Sequence, residues 1–471
     1  MKHRTYVKEV IDMKKTDTIA GIATAMTNSG IGIIRISGTD AISIIKQIFV
    51  PHKKEKDMQH VDSYTAHYGY IQEGNEVIDE CIVLVMKAPA TYTREDVVEI
   101  DSHGGVVVMR RILELVLRHG ARPAEPGEFT KRAFLNGRID LSQAEAVMDL
   151  ISAKNEFAME SSLKQLRGSI KHKIQTLRKD IIHQVAFIES ALDDPEHYSV
   201  DGYGDELLMI VERVKKEIER LIASSSDGKI LKEGIKTAIV GKPNAGKSSL
   251  LNVLVGEERA IVTEIAGTTR DTLEESIHVQ GIPLQIIDTA GIRDTEDIVE
   301  KIGVNKAKNT LDEADLILYV IDGSKQLDEN DMHIMELIRG KKVITLINKI
   351  DLEKKVHVEQ IKEQVDEPII FISAKEEQGM DQFYDALKEM FFDGQLEFND
   401  EIYITNMRHK SALMNANKSL EQVINSIQAQ MPEDFYSIDL MDAYEELGFI
   451  IGESVEEDLV NEIFREFCMG K

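Results

Sequence analysis

Hydrophobic and polar positions follow two different rhythms along this chain, and the rhythm changes three times. Over residues 18 to about 134, short apolar runs such as 31–36 and 81–86 are bounded by Gly, Pro, Ser or Thr, as strands are. Residues 106–117 carry helical spacing up to His119-Gly120. A compact α+β domain is expected there. Next, Leu163, Leu166, Ile170, Ile174, Leu177, Ile181, Val185, Ile188 and Leu192 repeat at intervals of three and four, which predicts one long amphipathic helix. Asp193-Asp194-Pro195 should end it, because proline cannot continue a helix. Leu207, Val211, Val214, Ile218 and Leu221 mark a second helix. After a break at Ser224-Ser-Ser-Asp-Gly228, buried-strand runs at 237–240, 284–287, 316–321, 343–347 and 369–372 alternate with helical segments. That alternation predicts a doubly wound, mostly parallel sheet. Beyond about Gly394, Leu413, Ala416, Leu420, Val423, Ile427 and Met431 restore the helical stripe.

The economical reading is a multidomain chain. Residues 1–16 form a tail, 17–135 an α+β domain, 136–233 and 395–471 the two parts of an all-α helical domain, and 234–394 an α/β domain inserted between them. A length of 471 residues suits about three domains. Composition adds exclusions. With 56 Lys and Arg against 83 Asp and Glu, the net charge is −27, which argues against gripping nucleic acid by a global basic surface and leaves room for a local basic groove. Two cysteines, Cys81 and Cys468, cannot build a disulfide framework and fit a reducing cytosol. No apolar run reaches the length of a membrane span, and the first residues lack the apolar core of a signal peptide. A cytoplasmic protein without a membrane anchor is expected.

The chemistry concentrates in the α/β segment. Gly241-Lys-Pro-Asn-Ala-Gly-Lys-Ser248 follows a strand run and matches the phosphate-binding loop G-x-x-x-x-G-K-S. Asn244, Ala245, Gly246, Lys247, Ser248 and Ser249 would wrap phosphates with backbone N–H groups. Lys247 would reach the β- and γ-phosphates, and the Ser248 hydroxyl would face Mg²⁺. Asp288-Thr289-Ala290-Gly291 follows the next core strand, where an Asp approaches the metal and a Gly N–H the γ-phosphate. Asn348-Lys349-Ile-Asp351 follows another strand. A carboxylate there accepts both N1–H and the exocyclic amine of guanine, a donor pair that adenine lacks. Ser373-Ala374-Lys375 would complete the guanine contacts, and Thr268-Thr269 lie where a switch threonine belongs. The constellation specifies a Ras-like GTPase. Ile292 occupies the place of the Gln that orients water in Ras-like enzymes, and no separate arginine finger is evident. The missing part then falls to Asp294, Glu296, Asp297 or Glu300, or to a bound cation. The side-chain carbonyl of Asn244 could hold a monovalent one, or could simply pack the loop.

The flanking motifs narrow the family. Gly32-Ile-Ile-Arg-Ile-Ser-Gly38, Arg94-Glu-Asp-Val-Val-Glu99, Ser102-His-Gly-Gly105 and Arg122-Pro-Ala-Glu-Pro-Gly-Glu-Phe-Thr130 precede Ala133-Phe-Leu-Asn-Gly-Arg-Ile-Asp-Leu-Ser-Gln-Ala-Glu-Ala146. Together with Thr263-Glu264-Ile265-Ala266-Gly267-Thr268-Thr269-Arg-Asp271 and the ending Phe467-Cys-Met-Gly-Lys471, they resemble the MnmE (TrmE) family of tRNA-modification GTPases over nearly the whole chain. The resemblance implies a homodimer joined through N-terminal domains, with GTPase domains that pair when K⁺ and a transition-state-like nucleotide are bound. It implies an MnmG-type FAD- and NADH-dependent partner in a heterotetramer, and addition of a carboxymethylaminomethyl or aminomethyl group to a tRNA wobble uridine. A one-carbon tetrahydrofolate, in 5-formyl or methylene form, would be held by Arg35, Glu99, Arg138 and Lys471. Arg138 stands where the family often has Lys, which keeps the charge and alters the geometry. K⁺ would fall on Asn244, Thr263, Ile265 (backbone) and Thr268, Mg²⁺ on Ser248 and Thr269, and the water-orienting carboxylate on Glu300. The competing reading is a regulatory GTPase switch for ribosome or RNA assembly. Such proteins carry basic appendages, whereas the last 41 residues here hold 12 Asp and Glu against two Lys and Arg.

Overall fold

The computed structural model describes residues 17–53, 57–153, 155–194, 197, 202–257, 275–280, 282–287, 311–365, 368–392, 402–453, 455, 457–465, 467 and 470. The chain forms two compact units. One comprises Met1–Ile151, Leu163–Tyr198 and Ser437–Lys471, the other Ser152–Ser162 and Ser199–Tyr436.

The first unit is built on seven strands, β1 (Ile19–Ile22), β2 (Ser29–Ser37), β3 (Phe49–Pro51), β4 (Thr65–Glu73), β5 (Glu76–Met86), β6 (Val97–Gly104) and β7 (Arg122–Pro123). Their order is β3-β4-β5-β6-β2-β1-β7. All neighbours run antiparallel except the short β1–β7 pair. Alternation splits β6 between two faces. Val98 and Ile100 join Ile34, Ile36, Val83 and Val85 in the core under the helices Ala41–Ile48 and Val106–Arg118. Glu99, Asp101 and His103 are left on the other face, opposite Arg35 and Ile33 of β2. The C-terminal helix Glu457–Arg465 is pinned by Phe464 and Phe467, which pack with Leu141, Ala144 and Val460. That apolar anchor brings Gly470 back to β1 and β2.

The second unit holds a six-stranded sheet of β8 (Ile235–Val240), β9 (Glu275–Val279), β10 (Ile282–Ile287), β11 (Leu316–Asp322), β12 (Val343–Asn348) and β13 (Ile369–Phe371). The order is β13-β12-β11-β8-β10-β9, with all pairs parallel except β10–β9. This is the doubly wound α/β architecture that the alternation predicts. Leu316, Leu318, Val320, Ile344 and Leu346 are buried on one side, and Ile317, Tyr319, Ile321 and Ile347 on the other. In the same unit the helix Tyr203–Glu233 packs along Met407–Gln428, so segments from either side of the α/β portion meet.

Three local expectations need correction. The stripe beginning at Leu163 is two helices, Glu156–Leu166 and Ser169–Asp193, because Gly168 adopts a φ of +94° between them. Leu192, counted on the buried stripe, is exposed. Ser224–Gly228 is no break, since the helix runs through it to Glu233. Gly228 is there for clearance, as a Cβ would stand 2.7 Å from the Ile404 carbonyl oxygen. Met431 lies past the end of its helix at Gln428. Among the described residues no helix is long and apolar enough to cross a membrane.

Candidate GTP site and a second basic site

Strand β8 delivers the chain to the phosphate loop, and the helix Lys247–Glu257 takes it away, which aims that helix's N-terminal N–H groups at the loop. The Lys247 ammonium lies inside the turn, donating to the Gly241 carbonyl at 2.6 Å and the Lys242 carbonyl at 2.9 Å. Gly246 has a φ of +105°, and a Cβ on it would stand 2.0 Å from the Asn348 amide nitrogen. Only glycine fits. Asn244 takes the left-handed conformation, with a φ of +62°. Its side chain is exposed, as are Ser248 and Ser249 in the first helical turn.

Asn348, at the end of β12, is 2% exposed and joins three motifs. Its Nδ2 donates to the Ala245 carbonyl at 2.9 Å, while its Oδ1 accepts from Lys349 N at 2.8 Å and Ala374 N at 2.9 Å. Lys349, at a φ of +67°, donates from Nζ to the Asn244 carbonyl at 2.6 Å and to Asp322 Oδ2 at 2.7 Å. Burial would push the Asp322 carboxyl up, but hydrogen bonds from Lys349 and Ser324 outweigh it and hold its pKa low. Asp351 is exposed, and the buried Ser373 hydroxyl donates to its Oδ1 at 2.7 Å, fixing how the carboxylate presents itself. Lys375 is exposed beside Glu376. On the far flank, Lys242 bridges Asp328 Oδ2 at 2.8 Å and Asp331 Oδ2 at 2.6 Å, the two carboxylates that cap the helix Glu329–Ile338.

The nucleotide site is therefore a preformed cradle. It gathers an ammonium, a helix N-terminus, an oriented carboxylate and an exposed serine at one end of the sheet. Hard oxygen donors such as Ser248 suit Mg²⁺, and an exposed amide such as Asn244 suits a monovalent cation. Thr263, Glu264, Ile265, Ala266, Gly267, Thr268, Thr269, Asp288, Thr289, Ala290, Gly291, Ile292, Asp294, Glu296, Asp297 and Glu300 lie outside the described residues, as do Cys468 and Lys471.

In the first unit, register alone sets Arg35 against Glu99 across β2 and β6. Arg35 Nε donates to Glu99 Oε1 at 2.7 Å, and its Nη1 donates to the Gly470 carbonyl at 3.3 Å. Arg138 reaches the same place from the turn after the helix Glu128–Leu135, its guanidinium carbon 4.6 Å from the Tyr92 ring centre. Arg35, Glu99, Arg138 and the residue before Lys471 thus converge. His103, by contrast, is an exposed side chain whose Nδ1 lies 2.8 Å from Asp79 Oδ1.

Two residues past Glu99 on the same face, Asp101 has a buried Oδ1 with no hydrogen-bond partner among the described residues. Burial, then the Glu99 charge, raises its pKa. The neutral acid is favoured on folding, so stability falls as pH rises from the unfolded value through the folded one, and the penalty is complete above it. Asp101→Asn should raise the thermal midpoint by roughly 2–4 °C at about pH 8 and change it little at about pH 4. An equal shift at both pH values would refute the account.

Two family models match the chain. Residues 18–138 match the model described as GTP-binding protein TrmE N-terminus, and 141–468 match the MnmE helical domain. The tRNA modification GTPase MnmE of Lachnoclostridium phytofermentans is 58% identical over 97% of this chain and 100% of its own length. The proteins of that name from Thermoanaerobacter pseudethanolicus and Bacillus subtilis are 50% and 47% identical, again over 97% of this chain and 99% and 100% of theirs. The chain belongs to the MnmE family of tRNA modification GTPases.

In this MnmE-family chain, Asn348 is the staple between the phosphate-loop motif, through the Ala245 carbonyl, and Ala374, while Ser373 orients Asp351. The sequence motifs do not mark every residue of these sites. Asp322 ends strand β11 as a lone carboxylate, and that strand-terminal position was its only signal. Tyr92 carried none, because its partners are distant in sequence.

Proposed function

We propose that this GTPase, with a flavin- and NADH-dependent partner of the MnmG type, adds a carboxymethylaminomethyl or aminomethyl group to carbon 5 of a tRNA wobble uridine. The one-carbon unit comes from a tetrahydrofolate held by Arg35, Glu99, Arg138 and Lys471. The protein works as a cytoplasmic homodimer within a heterotetramer. One observation supports this over an RNA-assembly switch: a close Arg35–Glu99 ion pair, 18% and 17% exposed, is closed by the carbonyl of Gly470. A GTPase switch has no use for a second such site, whereas folate offers carboxylates to arginine and an amino-pyrimidine edge to Glu.

In the GTPase unit, Lys247 and the loop N–H groups neutralise charge building on the phosphates, and Asp351 selects guanine. Ser248 and Thr269 would hold Mg²⁺, and Asn244, Thr263, Ile265 (backbone) and Thr268 would hold K⁺, each of which would supply positive charge beside the phosphates. Glu300 orients water for in-line attack. Nucleosides from tRNA of a strain lacking this gene should lose the carbon-5 modification and regain it on complementation. An unchanged wobble nucleoside would overturn the proposal.

Hydrolysis should be faster in potassium than in sodium buffer at matched ionic strength. Glu300→Ala should bind GTP normally and hydrolyse it at least about tenfold more slowly, a barrier increase of about 1.4 kcal/mol. Equal turnover in both salts sinks the cation assignment. Parental turnover in Glu300→Ala, with loss in Glu296→Ala or Asp294→Ala, moves the role to another carboxylate.

A further inference from the structure

The second basic site contains an aromatic ring that no sequence motif singled out. Tyr92 lies with the Arg138 guanidinium carbon 4.6 Å and the Arg35 guanidinium carbon 6.0 Å from its ring centre, both within cation–π range. The ring is held from behind. Its hydroxyl shares a 2.9 Å hydrogen bond with Thr130, which is fully buried on the helix Glu128–Leu135. The loop that carries it is tied at both ends, by Thr91 Oγ1 donating to the Glu95 carbonyl at 2.6 Å and by Asn136 Nδ2 donating to the Thr93 carbonyl at 2.6 Å. The ring is therefore a fixed feature against which the Arg138 guanidinium is ordered.

The two arginines differ in charge balance. Arg35 is neutralised by Glu99 at 2.7 Å. Arg138 is exposed, donates only a 3.4 Å hydrogen bond to the Tyr92 carbonyl, and has no ion-pair partner among the described residues. A guanidinium lying against an aromatic ring, with its fork unmatched by a carboxylate, suits a planar anionic group brought by a ligand. We propose that Tyr92 is a positioning residue for the folate assigned to this site. Its ring holds Arg138 beside Arg35, which Glu99, Gly470 and the Phe129 ring already fix, and Arg138 takes a carboxylate of the ligand's glutamate tail. This rests on the folate reading above.

The test compares 5-formyltetrahydrofolate with its uncharged α,γ-diamide by calorimetric titration into the full-length protein. The parent should prefer the acid by about tenfold, the size of one charge-assisted pair. Arg138→Ala should bind the acid as weakly as the diamide. Tyr92→Leu should lose most of the same preference, and Tyr92→Phe, which keeps the ring, should retain it. If the parent binds neither compound, the folate reading fails, and this inference with it. If the parent binds the acid but Arg138→Ala keeps the parental preference, this inference alone fails. Because Arg138 is exposed, that variant remains informative even if Tyr92→Leu does not fold.

Discussion

Asp351→Asn should lower GTP affinity by roughly 2–5 kcal/mol and turn preference toward xanthine nucleotides. The carboxylate is an acceptor for two guanine donors, and an amide in its place turns one acceptor into a donor. Xanthine carries the carbonyl that such a donor needs. Ser373 would still hold the side chain by its oxygen at the present 2.7 Å, so the substitution changes the chemistry and keeps the orientation. Direct titration with GTP and with xanthosine triphosphate checks it. Unchanged GTP affinity would remove Asp351 from base recognition.

Gly246→Ala should be comparably damaging by a different route. The new methyl would occupy the space of the Asn348 amide, 2.0 Å away, at a φ of +105° that L-residues avoid. Relief requires Asn348 to withdraw, which breaks its bond to the Ala245 carbonyl and loosens Lys349 and Ala374 with it. Strain of about 1–3 kcal/mol plus the lost buried bonds predicts at least a hundredfold weaker binding of guanine nucleotides, roughly 2.7 kcal/mol. Both GDP and GTP should be affected, because the damage is to the cradle and not to a γ-phosphate contact. Near-parental GDP affinity would show that the loop accommodates the methyl.

These two residues were legible before any fold was known, for different reasons. The strand-loop-helix grammar around Gly246 is local, written by a buried β-branched run, glycines and a helix start within about a dozen residues. Asp351 was legible through its motif. The Asn348 staple was half legible, since its motif named the residue, while its bonds to Ala245 and Ala374 depend on β8, β12 and β13 coming together. The break at Gly168 was hidden because the apolar spacing continues across it, so periodicity could not register a single residue in left-handed conformation. The continuous helix through Gly228 was hidden for the converse reason. Serines and a glycine look like a linker until Ile404 is seen against them. Tyr92 was silent because its value lies in two arginines that reach it from different elements.

The hydrogen bond from Arg35 to Gly470 spans 435 residues of sequence. During synthesis at roughly 5–20 residues per second, the β2–β6 sheet can form on the order of half a minute or more before Gly470 exists. The Arg35–Glu99 pair thus waits, open on one side, until Gly470 has been made. A chain that stops before Gly470 leaves that side uncovered. Closure of that side is thus a late event relative to the sheet that carries the pair.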